Sequence, residues 1–409
     1  MSTITPDVDL IESSPFFAPA FYAQRAGVPL QDAARHYLDF GAALGLDPSA
    51  NFDSKYYQGR YQVDAATENP LLHYHRVGQL LGFVPWGGQW VNKRQSATAA
   101  QALGTIAATR ALANVWPMLR AGRDQVWVFV HSRSHTVFHE FQTMILIALQ
   151  SLGIEANGAD ESLRPPTSVI PIVIAPHDFF FLTDLQGFPI DAAIVVNTEQ
   201  LQSIWLGRSL PYLFRARAVL DINVQTGAAL ADMGIPIRFL QLGYVPGYPV
   251  FQPDIPLSEP LQDQLRGISY DPGDKMLDLV WIGSNSKRRL GYLERNMEVL
   301  RRLRCFVRLV NVVGPLRSDH PEAISALEYA SLAQRSRILL NIHHFETPYF
   351  EWQRLVHFGF LQGACVLTET ASTVPHLISG VVLSRIRAAP SARLGHLAFE
   401  GQGAFSSQS

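Results

Sequence analysis

The stretch Gln125-Val-Trp-Val-Phe-Val-His131-Ser-Arg-Ser-His135 sets an apolar run against a polar turn. Val126–Val130 has no polar alternation, the pattern of a strand covered on both faces. A helix is expected from about Val137 to Leu152, with Phe138, Phe141, Ile145 and Leu149 on one stripe and Gly153 as its stop. The alternation continues downstream. Val169–Ile174 runs into Ala175-Pro176-His177-Asp178, and Ala192–Val196 into Asn197-Thr198-Glu199-Gln200. A short helix is expected near 201–206. Ala218–Leu220 then leads to Asp221, and Ile237–Leu242 to Gly243-Tyr244. Strands alternating with helices predict an α/β fold with a parallel sheet. In such sheets ligands bind beyond the carboxyl ends of the strands. That makes His131, His135, His177, Asp178, Asn197, Glu199 and Tyr244 candidate site residues, with Pro176 fixing the turn before His177.

A second alternation begins past the Pro-rich, polar residues 250–275. Asp278-Leu-Val-Trp-Ile282 leads into Gly283-Ser284-Asn285-Ser286-Lys287-Arg288-Arg289 and a helix with Leu290, Leu293, Met297 and Leu300 on one stripe. A small-residue turn at a helix start directs backbone N–H groups and the positive dipole end outward. Gly283, Ser284, Lys287 and Arg288 are therefore expected to hold a diphosphate, although no Walker loop or GxGxxG fingerprint is present. Phe306–Val310, a helix around 322–336 and Ile338–Ile342 follow, then His343-His344-Phe345-Glu346-Thr-Pro-Tyr349-Phe350-Glu351-Trp-Gln-Arg354, and a strand at Gly363–Leu367 before Thr368-Glu369-Thr370. A metal site is not expected there, because adjacent His343 and His344 cannot share a face of one regular element and no third ligand is suitably spaced. Glu351 suits ribose or sugar hydroxyls, Arg354 suits a phosphate, and Asn341 and His343 close the donor-side set. The bland alternative for Glu351 and Arg354 is a local i,i+3 ion pair.

The first hundred residues contain an internal repeat. His36-Tyr37…Gly41…Gly45…Pro48 aligns with His73-Tyr74…Gly78…Gly82…Pro85 at an offset of 37, and Phe17…Phe21-Tyr22 aligns with Phe52…Tyr56-Tyr57 at an offset of 35. Each copy reads as an aromatic opening, two short helices, then Gly and Pro stops. One copy cannot bury its aromatic face alone, so the two are expected to pack together as a small helical domain. His36 and His73 read as core positions, since neither copy supplies a neighbouring cluster of ligands. Residues 96–114 are Ala-rich and read as a helix or semi-rigid connector.

Composition fits several packed domains: the chain has 409 residues, 47% hydrophobic and 17% charged. A net charge of −2 argues against a polycationic nucleic-acid binder. Cys305 and Cys365 give no disulfide framework, and the opening MSTITPDVDL lacks an apolar core, so a cytoplasmic protein with at most peripheral membrane contact is expected. The expected divisions are a helical repeat domain at 1–95, a linker or helix at 96–123, a Rossmann-like half at 124–250, a linker at 251–275, a second Rossmann-like half at 276–390, and a closing segment and tail at 391–409.

Taken together, these halves resemble the bacterial GT-B glycosyltransferases over about residues 124–390. The segments that carry the likeness are Ala175-Pro176-His177-Asp178, Asn197-Thr198-Glu199-Gln200, Ile282-Gly283-Ser284…Arg288-Arg289, Leu340-Asn341-Ile342-His343 and Glu351…Arg354…Gly363…Thr368-Glu369. The repeat is similar to a module that accompanies bacterial glycosyltransferases, through Phe52-Asp53…Tyr56-Tyr57 and Asn69-Pro70-Leu71-Leu72-His73-Tyr74. The resemblance implies two Rossmann-like domains facing a cleft. The second would hold a nucleotide-sugar and the first a glycan, lipid-linked or protein acceptor, with no metal or other cofactor, in polysaccharide or protein glycan synthesis. It sets Glu346 and Glu351 where retaining members keep paired carboxylates, and Phe358 where the second Glu of the common pattern would stand. His177, His135 and Glu346 are the candidate catalytic residues. A catalytically silent GT-B-like scaffold is the alternative expectation.

Overall fold

The computed structural model describes residues 6–64, 67–96, 98–112, 118–311, 316–344, 357–369 and 384–386. It is a mixed α/β structure with two parallel sheets. The first comprises β1 (Gln125–Phe129), β2 (Glu155–Ala159), β3 (Val169–Ile174), β4 (Ile194–Asn197), β5 (Ala218–Asp221) and β6 (Ile237–Phe239), in the order β2-β1-β3-β4-β5-β6. The second comprises β7 (Leu277–Ser284), β8 (Cys305–Val310), β9 (Ser336–Asn341), β10 (Cys365–Glu369) and β11 (Ser384–Ile386), in the order β8-β7-β9-β10-β11. Renumbered from its own first strand, the second sheet repeats the 2-1-3-4-5 order of the first. In each, the chain leaves its first strand toward one edge and returns to the other side. The topological switch point thus lies between β1 and β3, and again between β7 and β9.

Most strands fall where the apolar runs place them. β2 does not announce itself, because Glu-Ala-Asn-Gly-Ala carries two poor strand formers. It is an edge strand held from outside its own sequence. It pairs with β1 from Gln125↔Glu155 to Phe129↔Ala159, and the Gln142 side chain donates to Val128 O (2.7 Å) and Ala159 O (3.0 Å). The helix expected near 201–206 lies instead at Leu206–Arg215, burying Leu206, Leu210 and Leu213 at helical spacing despite Pro211. The single stripe expected after β7 is broken at Asn296, giving helices Lys287–Arg295 and Met297–Leu300. Leu293 and Leu300 are buried, while Leu290 and Met297 stay exposed.

In the repeats, residues 37 apart adopt the same unusual backbone, since both Tyr37–Gly41 and Tyr74–Gly78 are π-helical. The reason is a buried wedge. Tyr22 Oη meets His36 Nδ1 at 2.8 Å and Tyr57 Oη meets His73 Nδ1 at 2.9 Å. Each hydroxyl fills the place of a Cβ on the facing glycine: one added at Gly41 would lie 1.7 Å from Tyr22 Oη, and one at Gly78 2.3 Å from Tyr57 Oη. Each copy also closes on itself by a backbone bond, Ala18 N to Pro48 O (3.0 Å) and Asp53 N to Pro85 O (2.8 Å). His36 and His73 are thus half-buried side chains hydrogen-bonded to core tyrosines.

The repeat core runs without a break into one face of the first sheet, from Phe16, Tyr57, Tyr74 and Trp86 to Leu206, Leu210 and Val195. Trp86 stacks on Trp90 and donates its indole N–H to Leu201 O (3.4 Å), and Arg94 pairs with Asp232. The Ala-rich segment forms the helix Ala99–Leu112, whose Ile106 packs beside Gly227 in the helix Val224–Asp232. At the closest approach a Cβ on Gly207 would lie 2.0 Å from Gly82 O and 3.1 Å from Val84 Cγ1. Gly207→Ala is expected to force this seam apart at a cost of about 1–3 kcal/mol. Thermal unfolding with limited proteolysis checks it, and an unchanged melting temperature would show that the repeats do not dock there.

A second buried cluster joins the other face of the first sheet to the second sheet, from Val128, Phe141 and Met144 through Tyr248 and Val250 to Val280, Tyr329 and Phe358. The residues read as a linker contribute to it: Ile255, Leu261 and Leu265 are buried, and Glu259–Gln264 is helical. Thr136 N, just past β1, donates to Leu316 O, past β8, at 2.8 Å. Burial pushes the Glu140 carboxyl up to about 7, with the backbone N–H of Ala326, at the start of the helix Ala326–Gln334, opposing the rise.

Candidate functional site

Beyond the carboxyl ends of β1, β3 and β4 lies the first polar cluster. Ala175 ends β3 with φ 52° and ψ 67°, a left-handed conformation costly for a side chain with a Cβ. This turn folds Pro176–Phe179 into a single helical turn and carries His177 and Asp178 over the strand end, where both are buried. His177 Nε2 stands 3.4 Å from Glu199 Oε1 and 3.7 Å from Asp178 Oδ1. Its Nδ1 has no hydrogen-bond partner among the described residues. Phe138 meets the ring edge-on at a centroid distance of 5.6 Å and Trp205 lies 6.5 Å away.

Burial sets the proton affinities here. It pushes the His177 imidazole down to about 4, against the nearby Asp178 charge and with help from Arg208. It pushes His135 down to about 4 as well, with His177 adding to the effect. Asp178 and Glu199 are both raised by burial; a charge on His177 opposes the rise at Asp178, and the hydrogen bond from Ser203 opposes it at Glu199. The result is a neutral imidazole between two carboxyl groups, and a proton gained by His177 would be stabilised by both.

The other residues read as first-sheet candidates have local duties. His131 is fully buried, with Nε2 2.8 Å from Thr183 Oγ1 and Nδ1 accepting from Arg133 N at 3.0 Å. His135 caps the helix Thr136–Ser151 by accepting from Val137 N (3.2 Å). Asn197 is also fully buried and donates to Glu199 O and to Asp221 Oδ2, each at 2.8 Å, so it shapes the turn that presents Glu199. Burial pushes Asp221 up to about 8. Tyr244 is exposed and packs against Phe251, 5.1 Å away. The structure thus brings His135, His177, Asp178 and Glu199 together and adds Trp205 and Arg208, which lie just before and on the helix Leu206–Arg215 that the sequence reading placed too early.

The second cluster lies between the ends of β7 and β9. Ser286 caps the helix Lys287–Arg295, accepting from Arg289 N at 3.2 Å. Lys287 is exposed at the first position. Arg288 turns back to the sheet. It bonds both oxygens of Glu369 (2.7 and 2.9 Å) and His343 O (2.9 Å), while His343 N also donates to Glu369 (2.8 Å). Burial raises the Glu369 carboxyl, but Arg288 and the His343 N–H bring it below the ordinary carboxylate range. Arg289 is buried and reaches Ile342 O (3.0 Å) and Ser284 Oγ (2.8 Å). Gly283 lets this side chain pass, since a Cβ there would lie 3.2 Å from Arg289 Nη1 and 2.8 Å from Trp281. Asn341 is fully buried and donates to Thr368 Oγ1 (3.0 Å) across β9 and β10. The two arginines lace the ends of β7, β9 and β10 into one platform, and among the described residues Lys287 is an exposed cation at its rim. Phe358 stacks on Tyr329 at 4.6 Å, inside the core.

Glu346, Glu351 and Arg354 lie outside the described residues, as does the tail at 391–409. Among the described residues no group of three or more His, Cys, Asp or Glu side chains is arranged to hold a metal ion, and no helix is long and apolar enough to cross a membrane. Compared with known proteins, the chain matches no family model and no curated protein sequence.

Proposed function

We propose that the chain is a glycosyltransferase of the GT-B kind, taking the diphosphate of a nucleotide-sugar at the end of β7 and an acceptor hydroxyl at the His177 cluster. The observation that carries this is the shared strand order. Two parallel sheets of the same 2-1-3-4-5 order each gather a polar cluster at the switch point, where doubly wound sheets take their ligands. Lys287 and the first-turn N–H groups meet the diphosphate, and Arg288 and Arg289 act by holding that turn still. His177, neutral and close to Asp178 and Glu199, takes the proton of the acceptor hydroxyl as the sugar is transferred.

A scaffold without catalysis is the second reading. Its support is the Arg288–Glu369 pair, which leaves one cation fewer for phosphate. Thermal unfolding in the presence of a panel of nucleoside diphosphates separates the two. Saturation at a hundred times Kd is expected to add about 2.7 kcal/mol for the matching nucleotide. No stabilisation by any nucleotide would leave the scaffold.

A further inference from the structure

Arg208 stands at the lip of the first cluster, where burial lowers its proton affinity and the Asp178 charge partly restores it. Its Cζ lies 3.5 Å from the Phe181 ring centroid and 4.4 Å from that of Trp205, so the guanidinium is held between two aromatic faces. It makes no ion pair and no side-chain hydrogen bond among the described residues. A second cation brackets the same loop, with Arg133 donating to Leu182 O at 2.7 Å. The Trp205 ring that covers Arg208 also neighbours His177.

Apolar side chains open to solvent from both sides of this place. Phe181 and Ile204, the residue before Trp205, are 48% and 69% exposed. From the second repeat come Leu80 and Leu81, 77% and 56% exposed, immediately before Gly82, which lies against the Arg208 stem and Gly207. A guanidinium thus has exposed apolar side chains close by on two sides, Phe181 against its ring face and Leu80-Leu81 just before the Gly82 that meets its stem. Four side chains fall far short of the roughly 20–30 residues a side of a stable protein interface, and suit an occupant as narrow as one hydrocarbon chain.

We propose that this seam binds a lipid-linked phosphate acceptor, with Arg208 on the phosphate and Leu80, Leu81, Phe181 and Ile204 on the first part of the hydrocarbon chain. This names the acceptor class and rests on the glycosyl-transfer reading above. It also gives the repeats a part in the chemistry, since half of these apolar side chains belong to them. A phosphate at Arg208 brings a sugar carried on it to the His177 side of Trp205.

The test is equilibrium binding to the full chain, using farnesyl diphosphate with pyrophosphate and farnesol as its two halves. Farnesyl diphosphate is expected to bind at least tenfold more tightly than either half. Arg208→Gln should remove at least tenfold of the affinity for farnesyl diphosphate and for pyrophosphate, with Arg208→Lys between the two. Leu80→Ser with Leu81→Ser should weaken farnesyl diphosphate severalfold and leave pyrophosphate unchanged. Nucleoside-diphosphate binding at the second sheet, measured on the same samples, reports that each variant is folded and tests the glycosyl-transfer reading separately. Equal affinity for farnesyl diphosphate and pyrophosphate overturns the proposal, as does indifference to Arg208→Gln. Binding of nucleotide without farnesyl diphosphate overturns it too, and would mark the apolar side chains as a protein-facing surface.

Discussion

Arg288→Ala is expected to destabilise the second sheet by about 3 kcal/mol, because it strands a largely buried carboxylate. Arg288 and Glu369 side chains are only 22% and 14% exposed, and the pair joins the start of the helix after β7 to the end of β10. Removing the arginine also deprives His343 O of its donor. Glu369→Gln should cost less, since an amide keeps one acceptor and buries no charge. The pH dependence has a definite sign. Glu369 titrates lower in the folded chain than in the unfolded one, so its contribution is present above the ordinary carboxylate pKa and is lost as pH falls through the folded value. Urea unfolding of wild type and Arg288→Ala at pH 7 and at low pH should show the gap closing on acidification. Lys287→Ala, by contrast, should leave unfolding unchanged and weaken nucleoside-diphosphate binding. An Arg288→Ala protein as stable as wild type would remove the platform from the account of the donor site.

His177→Ala is expected to lower turnover by about 10²- to 10⁴-fold, the usual scale for losing a positioned general base. Nucleoside-diphosphate affinity should hold, because the proposed diphosphate site is built on the other sheet. The donor for the assay is the sugar conjugate of whichever nucleoside diphosphate stabilises the chain. Glu199→Gln should give a smaller loss, since Asp178 still faces the imidazole, 3.7 Å away. With the His177 imidazole held down to about 4, kcat/KM should show no histidine limb between pH 6 and 8. Turnover that survives His177→Ala, with the fold intact, would sink the assignment of the base.

Some of the site was legible beforehand for a definite reason. His177-Asp178 and Glu199 follow apolar runs directly, and in a parallel sheet the end of such a run is where ligands bind. The same logic found Ser284 through Arg288. It did not show which side chain each residue would meet. Arg288 has the sequence context of a phosphate ligand, yet its partner lies 81 residues away in Glu369. Asn197 and His131 have the look of site residues, yet both are spent on neighbouring backbone or side chains. Trp205 and Arg208 gave no motif, though the spacing of Leu206, Leu210 and Leu213 does mark the helix that carries them. β2 gave no signal of any kind, since its order comes from β1 and the Gln142 side chain.

By itself the sequence determined the alternation of strands and helices, their carboxyl-end clusters and the repeat, because periodicity and local turn chemistry are properties of neighbouring residues. Only the tertiary structure decided the strand order, the pairing of charges and the placing of the second repeat beside Arg208. Those depend on contacts between residues far apart in the chain, such as Gly82 with Gly207 and Arg288 with Glu369, and no local pattern encodes which distant partner will fill a given space or neutralise a given charge.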